Sequence, residues 1–170
     1  MKVLSNKAWG EVMTVQQFEH YITYLRPTVF RLAFGMLRNR EDAEDITQDA
    51  FVRLYNSQKI FSDDEHVKAW LIRVTINLCK DMVRSAWFRH REEAVAEPFC
   101  EDNRESSLLG CIERLDPDST AIVYLFYYEG YSVREIASIR RMTSAAVRTR
   151  LTRARKQLRK MLSEEDGYEA

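Results

Sequence analysis

The sequence predicts an all-α protein of two small helical domains joined by a flexible linker, and three observations lead there. Five Gly and three Pro in 170 residues disfavour an all-β chain, which would need more turn residues. From about position 15 to 162, most segments repeat apolar residues at three-and-four spacing, the period of an amphipathic helix. That repeat stops between about Arg89 and Ser107, where HREEAVAEPFCEDNRES carries many charges and one Pro, the composition of a connector. The domains are therefore expected at 12–90 and 108–163, with 91–107 between them.

A first helix is expected from about Val15 to Leu37, with Phe18, Ile22, Leu25, Val29, Leu32, Ala33 and Met36 as its apolar stripe. Pro27 should kink or interrupt it. Asn39 can cap a second helix reaching about Tyr55, with Glu41 and Asp42 at the positive end of its dipole. Its buried stripe is Ala43, Ile46, Ala50, Phe51 and Leu54, which leaves Glu44, Asp45, Gln48, Asp49 and Val52 outside. That acidic face suits either water or a basic partner. Asn56 to Glu65 reads as a loop anchored by Ile60 and Phe61, leading to a cap at Asp63 or Asp64. The next helix, His66 to about Trp87, carries two stripes. Val67, Leu71, Val74, Leu78 and Met82 are apolar, while Arg73, Asn77, Lys80 and Arg84 could hold a nucleic-acid strand, the cations on phosphates and the amide on a base.

In the second half, Leu108, Leu109, Ile112 and Leu115 fit a short helix, and Asp116-Pro117 supplies the cap and first residue of another. That helix is expected to bury Ile122, Leu125 and Phe126 beside Ala121 and Tyr128, and to end at Gly130. Ser132 and Glu135 form a capping box for the next. Thr143 caps the last, whose stripe is Val147, Leu151, Ala154, Leu158 and Met161. Only Ile139 to Met142 separate these two helices, and Ala137 is small enough for a steep crossing. The pattern fits a DNA-reading helix-turn-helix, and on charge alone also an ordinary helical hairpin whose Arg and Lys form a solvated face. Its outer face holds Ser144, Arg148, Thr149, Thr152, Arg153, Lys156 and Lys160, a set of forks, hydroxyls and ammonium groups suited to base edges and phosphates. Arg141 stands where such a turn favours Gly, at a cost of roughly 1 kcal/mol or somewhat more.

The formal net charge is zero, but the charges are segregated, and local sign governs the partner. From Leu115 to Leu162 ten basic side chains outnumber four acidic ones, a formal +6. Glu41, Asp42, Glu44, Asp45 and Asp49 crowd the first half. Cys79, Cys100 and Cys111 form no CxxC pair, so neither a disulfide framework nor a zinc site is indicated and no cofactor is expected. No apolar run approaches ~18 residues and no signal-like segment opens the chain, so a soluble protein of a reducing cytoplasm is expected. A metal-dependent nuclease built on Asp42, Asp45 and Asp49 lacks a general base nearby, and acids in the first turns of a helix are common without metal. A stand-alone DNA-binding regulator accounts for the helix-turn-helix, yet leaves the acidic helix and the loop before His66 without a purpose.

FRLAFGMLRNREDAEDITQDAFVRLY (Phe30 to Tyr55) and VKAWLIRVTINLCKDMVRS (Val67 to Ser85) resemble domain 2 of the bacterial extracytoplasmic-function (ECF) sigma factors, a branch of the sigma-70 family. LDPDSTAIVYLFYYEGYSVREIASIRRMTSAAVRTRLTRARKQLRKML (Leu115 to Leu162) resembles their domain 4. The resemblance implies an initiation subunit that binds core RNA polymerase, through the β′ coiled coil and the β subunit, and recognises and opens promoter DNA without covalent chemistry. It implies that Asp45, Gln48, Asp49 and Val52 dock on the β′ coiled coil. Ile60, Phe61 and Ser62 would lie in a loop that captures an unstacked minus-10 base, against an unpairing cost of a few kcal/mol. Lys68, Arg73, Asn77, Lys80 and Arg84 would hold the adjacent strand. Ser144, Arg148, Thr149, Thr152, Arg153 and Lys156 would read the minus-35 element in the major groove. It further implies control by an anti-sigma factor, membrane-linked or soluble, wedged against both domains.

Overall fold

A computed structural model of the chain describes residues 13–90 and 108–166, and among them every regular element is a helix. The expected linker, 91–107, lies outside the described residues.

Helix α1 (Val15–Leu37) starts at Thr14, whose hydroxyl accepts from the Gln17 amide while the Gln17 side chain accepts from the Thr14 amide. Contrary to the expected interruption, α1 runs through Pro27 as one helix. The lost backbone donor is tolerated because tertiary packing outweighs it, with Val29, Leu32, Ala33 and Met36 buried just beyond it. The helix ends at Arg38, in the left-handed region at φ 56°, with its N–H on the Phe34 carbonyl. Asn39 then caps α2 (Arg40–Tyr55) by accepting from the Asp42 amide. All five expected residues of its inner stripe are buried, and Thr47 joins them by donating its hydroxyl to the Ala43 carbonyl at 2.7 Å.

Asp63 is the cap of α3 (Asp64–His90), accepting from the His66 amide at 2.7 Å. Asp64 instead accepts from the Tyr21 hydroxyl on α1, also at 2.7 Å. Along α3, Ile72, Thr75, Ile76 and Cys79 are buried in addition to Val67, Leu71 and Leu78. The buried face is wide because α3 packs on α1 and α2 and also on α6.

The second half contains α4 (Leu108–Glu113), α5 (Pro117–Tyr127), α6 (Val133–Arg140) and α7 (Ser144–Asp166). Asp116 caps α5, Ser132 and Glu135 close the expected capping box, and the Thr143 hydroxyl accepts from Ala146 N–H at the start of α7. Val147, Leu151, Ala154 and Leu158 are buried as a continuous stripe. Two expectations fail here: Leu108 and Tyr128 are exposed. Leu108 opens α4, and Tyr128 lies just past the last turn of α5, stacked on Tyr124.

The two halves pack against each other, and their buried residues join in one core. Helix α1 lies along α5, and α3 touches α6. At Gly35 the two halves come close, since a Cβ there would stand 3.3 Å from the Thr120 methyl. A side chain there would press on Thr120 unless the neighbour gave by a few tenths of an ångström.

Candidate functional site

Three surfaces carry the expected functional residues. On α2, Asp45, Gln48, Asp49 and Val52 are all exposed on one face. Arg40 and Glu44 pair at its upstream end, 3.2 Å apart. Val52 and Tyr55 close the downstream end with exposed apolar surface, the Tyr55 ring lying 5.0 Å from that of Phe18. Tyr55 belongs to this face but was absent from the sequence-based set. Its signal was available, since Tyr55 stands three residues past Val52 and so falls on the same helix face.

The loop before α3 is pinned by one residue rather than two. Phe61 is buried, edge-on to His66 and Trp70, whereas Ile60 is exposed. The Ser62 amide donates to His66 Nδ1 at 3.2 Å, and its hydroxyl donates to Asp63 at 2.8 Å. Bonds from the His66 amide and the Ser62 hydroxyl hold the Asp63 carboxyl below its ordinary range.

The polar stripe of α3 is divided. Asn77 and Arg84 are exposed, and Arg84 pairs with Asp81. Lys68, Arg73 and Lys80 instead reach residues of the second half. Lys68 Nζ is 2.9 Å from Glu129, and 5.2 Å from the Tyr131 ring centre. Arg73 donates to the Ile139 carbonyl at 2.9 Å and to the Ser138 carbonyl at 3.1 Å, at the end of α6. Lys80 Nζ is 2.9 Å from Asp118.

Asp118 and Glu129 are the centres of these contacts. Asp118 also meets Arg140 at 2.5 Å and Arg150 at 3.5 Å, so its carboxylate ties α3, α5, α6 and α7 together. Burial raises its pKa, but the Lys80 hydrogen bond and the three surrounding cations outweigh burial and hold it below the ordinary value. Glu129 accepts from Thr28 at 3.2 Å and Tyr124 at 3.0 Å besides Lys68. Burial again works upward, and the bonds from Lys68, Tyr124 and Thr28 bring its pKa below the ordinary one. Neither acid could be found from sequence, since their cationic partners Lys68, Lys80, Arg140 and Arg150 all lie more than 20 positions away.

The helix-turn-helix presents Arg148, Thr149, Thr152, Arg153 and Lys156 on the exposed face of α7, with Ser144 half-buried at its start. The other basic side chains of α7 are not equivalent. Arg150 turns to Asp118, and Arg155 donates to the Tyr127 hydroxyl at 2.6 Å and lies over the Phe126 and Tyr127 rings. At the turn, Arg141 is left-handed (φ 51°, ψ 50°) as its position requires. The Met142 amide reaches back to the Ala137 carbonyl at 3.0 Å, closing the end of α6.

Asp42, Asp45 and Asp49 do not converge, and among the described residues no three His, Cys, Asp or Glu side chains are placed to hold a metal ion. Cys79 is packed in the core, where burial pushes its thiol up to about 12. No described helix is long and apolar enough to cross a membrane.

Among the described residues the protein is all-helical, with an acidic face on α2 and, in its second half, a helix-turn-helix whose outer face is basic. The family model described as sigma-70 region 2 matches residues 21–89, and that described as sigma-70, region 4 matches residues 106–158. The ECF RNA polymerase sigma factor SigE of Mycolicibacterium smegmatis is 32% identical over 177 residues, an alignment covering 96% of this chain and 68% of that protein. Among solved structures, the sigma factor RpoE in complex with the anti-sigma factor NepR from Bartonella quintana superposes with a TM-score of 0.73. It is 20% identical, with 88% of this chain and 98% of that chain covered. CnrH in complex with the cytosolic domain of CnrY gives 0.66 at 22% identity, covering 89% and 90%. The chain belongs to the sigma-70 family, in its ECF RNA polymerase sigma factor branch.

Proposed function

We propose that the surfaces divide the work of a sigma subunit, with one functional unit at 12–90 and the other at 108–163. The exposed α2 face of Asp45, Gln48, Asp49 and Val52 docks core RNA polymerase, its carboxylates meeting basic side chains of the β′ coiled coil. The loop of Ile60, Phe61 and Ser62 takes up an unstacked minus-10 base. Lys68, Arg73, Asn77, Lys80 and Arg84 hold the strand beside it. Ser144, Arg148, Thr149, Thr152, Arg153 and Lys156 read the minus-35 element.

One observation carries this reading. A single chain presents a basic recognition face on α7 and a separate acidic face on α2 with an apolar end. DNA repels the second face, which suits it to a basic protein partner instead. An anti-sigma factor controls the subunit from the cytoplasm or from the membrane, a reading supported by the two similar folds solved with such inhibitors.

The test is retention by immobilised core polymerase. The wild-type chain and Arg153→Ala should both be held, and Asp45→Arg should be lost. Equal retention of all three would remove the polymerase assignment from α2.

A further inference from the structure

Asp118, in the first turn of α5, touches both arms of the helix-turn-helix. Its Oδ1 lies 2.5 Å from Arg140, the last residue of α6, and its Oδ2 lies 3.5 Å from Arg150 in the second turn of α7. Between those arms stands Arg141, which holds the left-handed turn without being glycine. Lys80 of α3 shares Oδ1 at 2.9 Å, a contact from outside the helix-turn-helix.

The two arginines differ in their surroundings. The Arg140 side chain is only 6% exposed, and its Nε meets no hydrogen-bond partner among the described residues. Without the carboxylate it would be a buried, uncompensated charge, and swinging toward water is the way to lower that cost. Such a swing passes directly into the turn. The Arg150 side chain is 38% exposed and projects about 60° round α7 from Arg153, at the edge of the reading face. Released, it can reach a phosphate, and phosphate contacts add affinity without sequence information.

We infer that Asp118 is a positioning residue that sets DNA specificity: through Arg140 it fixes the angle of α7 to α6, and through Arg150 it withholds one cation from the DNA backbone. The inference rests on the assignment of the α7 face to the minus-35 element. Specificity is the ratio of specific to non-specific binding, so holding a cation back raises it.

The full-length chain is compared with Asp118→Asn, Arg150→Gln and the double variant by fluorescence anisotropy over a salt series. The probes are a duplex enriched from a random pool by the immobilised wild-type chain and a scrambled duplex of the same composition. Asp118→Asn should bind the scrambled duplex more tightly, with the slope of log K against log salt steeper by about 0.9 for one added phosphate contact. Its preference for the enriched duplex should fall at least about fivefold, the worth of one misplaced base contact. Arg150→Gln alone should leave the scrambled-duplex slope at the wild-type value, since that cation is held by Asp118. Added to Asp118→Asn, it should cancel the steeper slope.

A parallel loss of both affinities in Asp118→Asn at unchanged slope marks a support of folding alone and overturns the inference. So does a steeper slope that survives in the double variant. If Asp118→Asn does not fold, Arg150→Gln still decides, because a slope shallower by about 0.9 means that Arg150 already holds a phosphate in wild type. If the wild-type chain enriches no sequence, the minus-35 assignment falls and the inference with it. If it does, and Asp118→Asn prefers the enriched duplex as strongly as wild type, the assignment stands and Asp118 has no part in specificity.

Discussion

Replacing Arg141 by Gly should stabilise the protein. Arg141 sits in the left-handed region at φ 51° and ψ 50°, where a side chain costs about 1–2 kcal/mol because Cβ crowds the following carbonyl. Glycine removes that cost and gives back roughly 0.4–1 kcal/mol through the greater freedom of the unfolded chain. The net gain is about 0–1.6 kcal/mol, centred near 0.8 kcal/mol. The turn's own bonds survive the change, since Arg141 N–H to the Ser138 carbonyl (3.3 Å) and Met142 N–H to the Ala137 carbonyl (3.0 Å) are both backbone. If the chain unfolds as one unit, each kcal/mol shifts the midpoint by about 2–4 °C at this length. Urea unfolding followed by far-UV circular dichroism gives the sharper assay, with an unchanged m-value and a raised midpoint. A midpoint unmoved or lowered would refute the reasoning, because it would mean that the Arg141 side chain returns more than its backbone costs.

The remaining predictions follow from the same geometry. Leu71→Ala, at a side chain 1% exposed, should cost about 2–5 kcal/mol in urea unfolding by opening a cavity in the core. Ser132→Ala should cost about 1 kcal/mol by uncapping α6, read from the same curves. Arg148→Ala and Arg153→Ala should each lower minus-35-dependent promoter binding by about 1–3 kcal/mol in footprinting with polymerase present, and Asp45→Arg should abolish polymerase retention instead. Acid should weaken the seam between the units. Asp118 and Glu129 have pKa values held below the ordinary 3.8 and 4.5 when folded. Their contribution is therefore full above those ordinary values and is lost as pH falls through the lowered ones. Scattering at stepwise lower pH should show expansion that begins below about 4.5, and expansion on raising pH from neutral would have the wrong sign.

Helices were legible because periodicity and caps are local. Asn39, Asp116, Ser132 and Thr143 each cap the helix that their side chain and position announce. The stripe of α7 is buried as spaced, and the left-handed turn at Arg141 was foreseen from the helix-turn-helix pattern. What escaped was non-local. Pro27 reads as a break, but the packing of α1 against α2, α3 and α5 overrides a local cost. Ile72, Ile76 and Cys79 lie off the expected stripe of α3 because that helix has neighbours on two sides. Arg73 and Lys80 were legible as part of a basic stripe and Lys68 through the resemblance, whereas their engagement by α6, Asp118 and Glu129 depends on how two units meet. No spacing in either unit encodes that.

The central claim is that this chain gives core polymerase its choice of promoter. Transcription of genomic DNA by purified core polymerase, with and without the protein, followed by sequencing of transcript starts, tests it most directly. Addition of the chain should create a set of starts that share two upstream elements at constant spacing, near minus-10 and minus-35, and Arg153→Ala should deplete starts that depend on the upstream one. Starts unchanged by the protein, or new starts without a common pair of elements, would contradict the account.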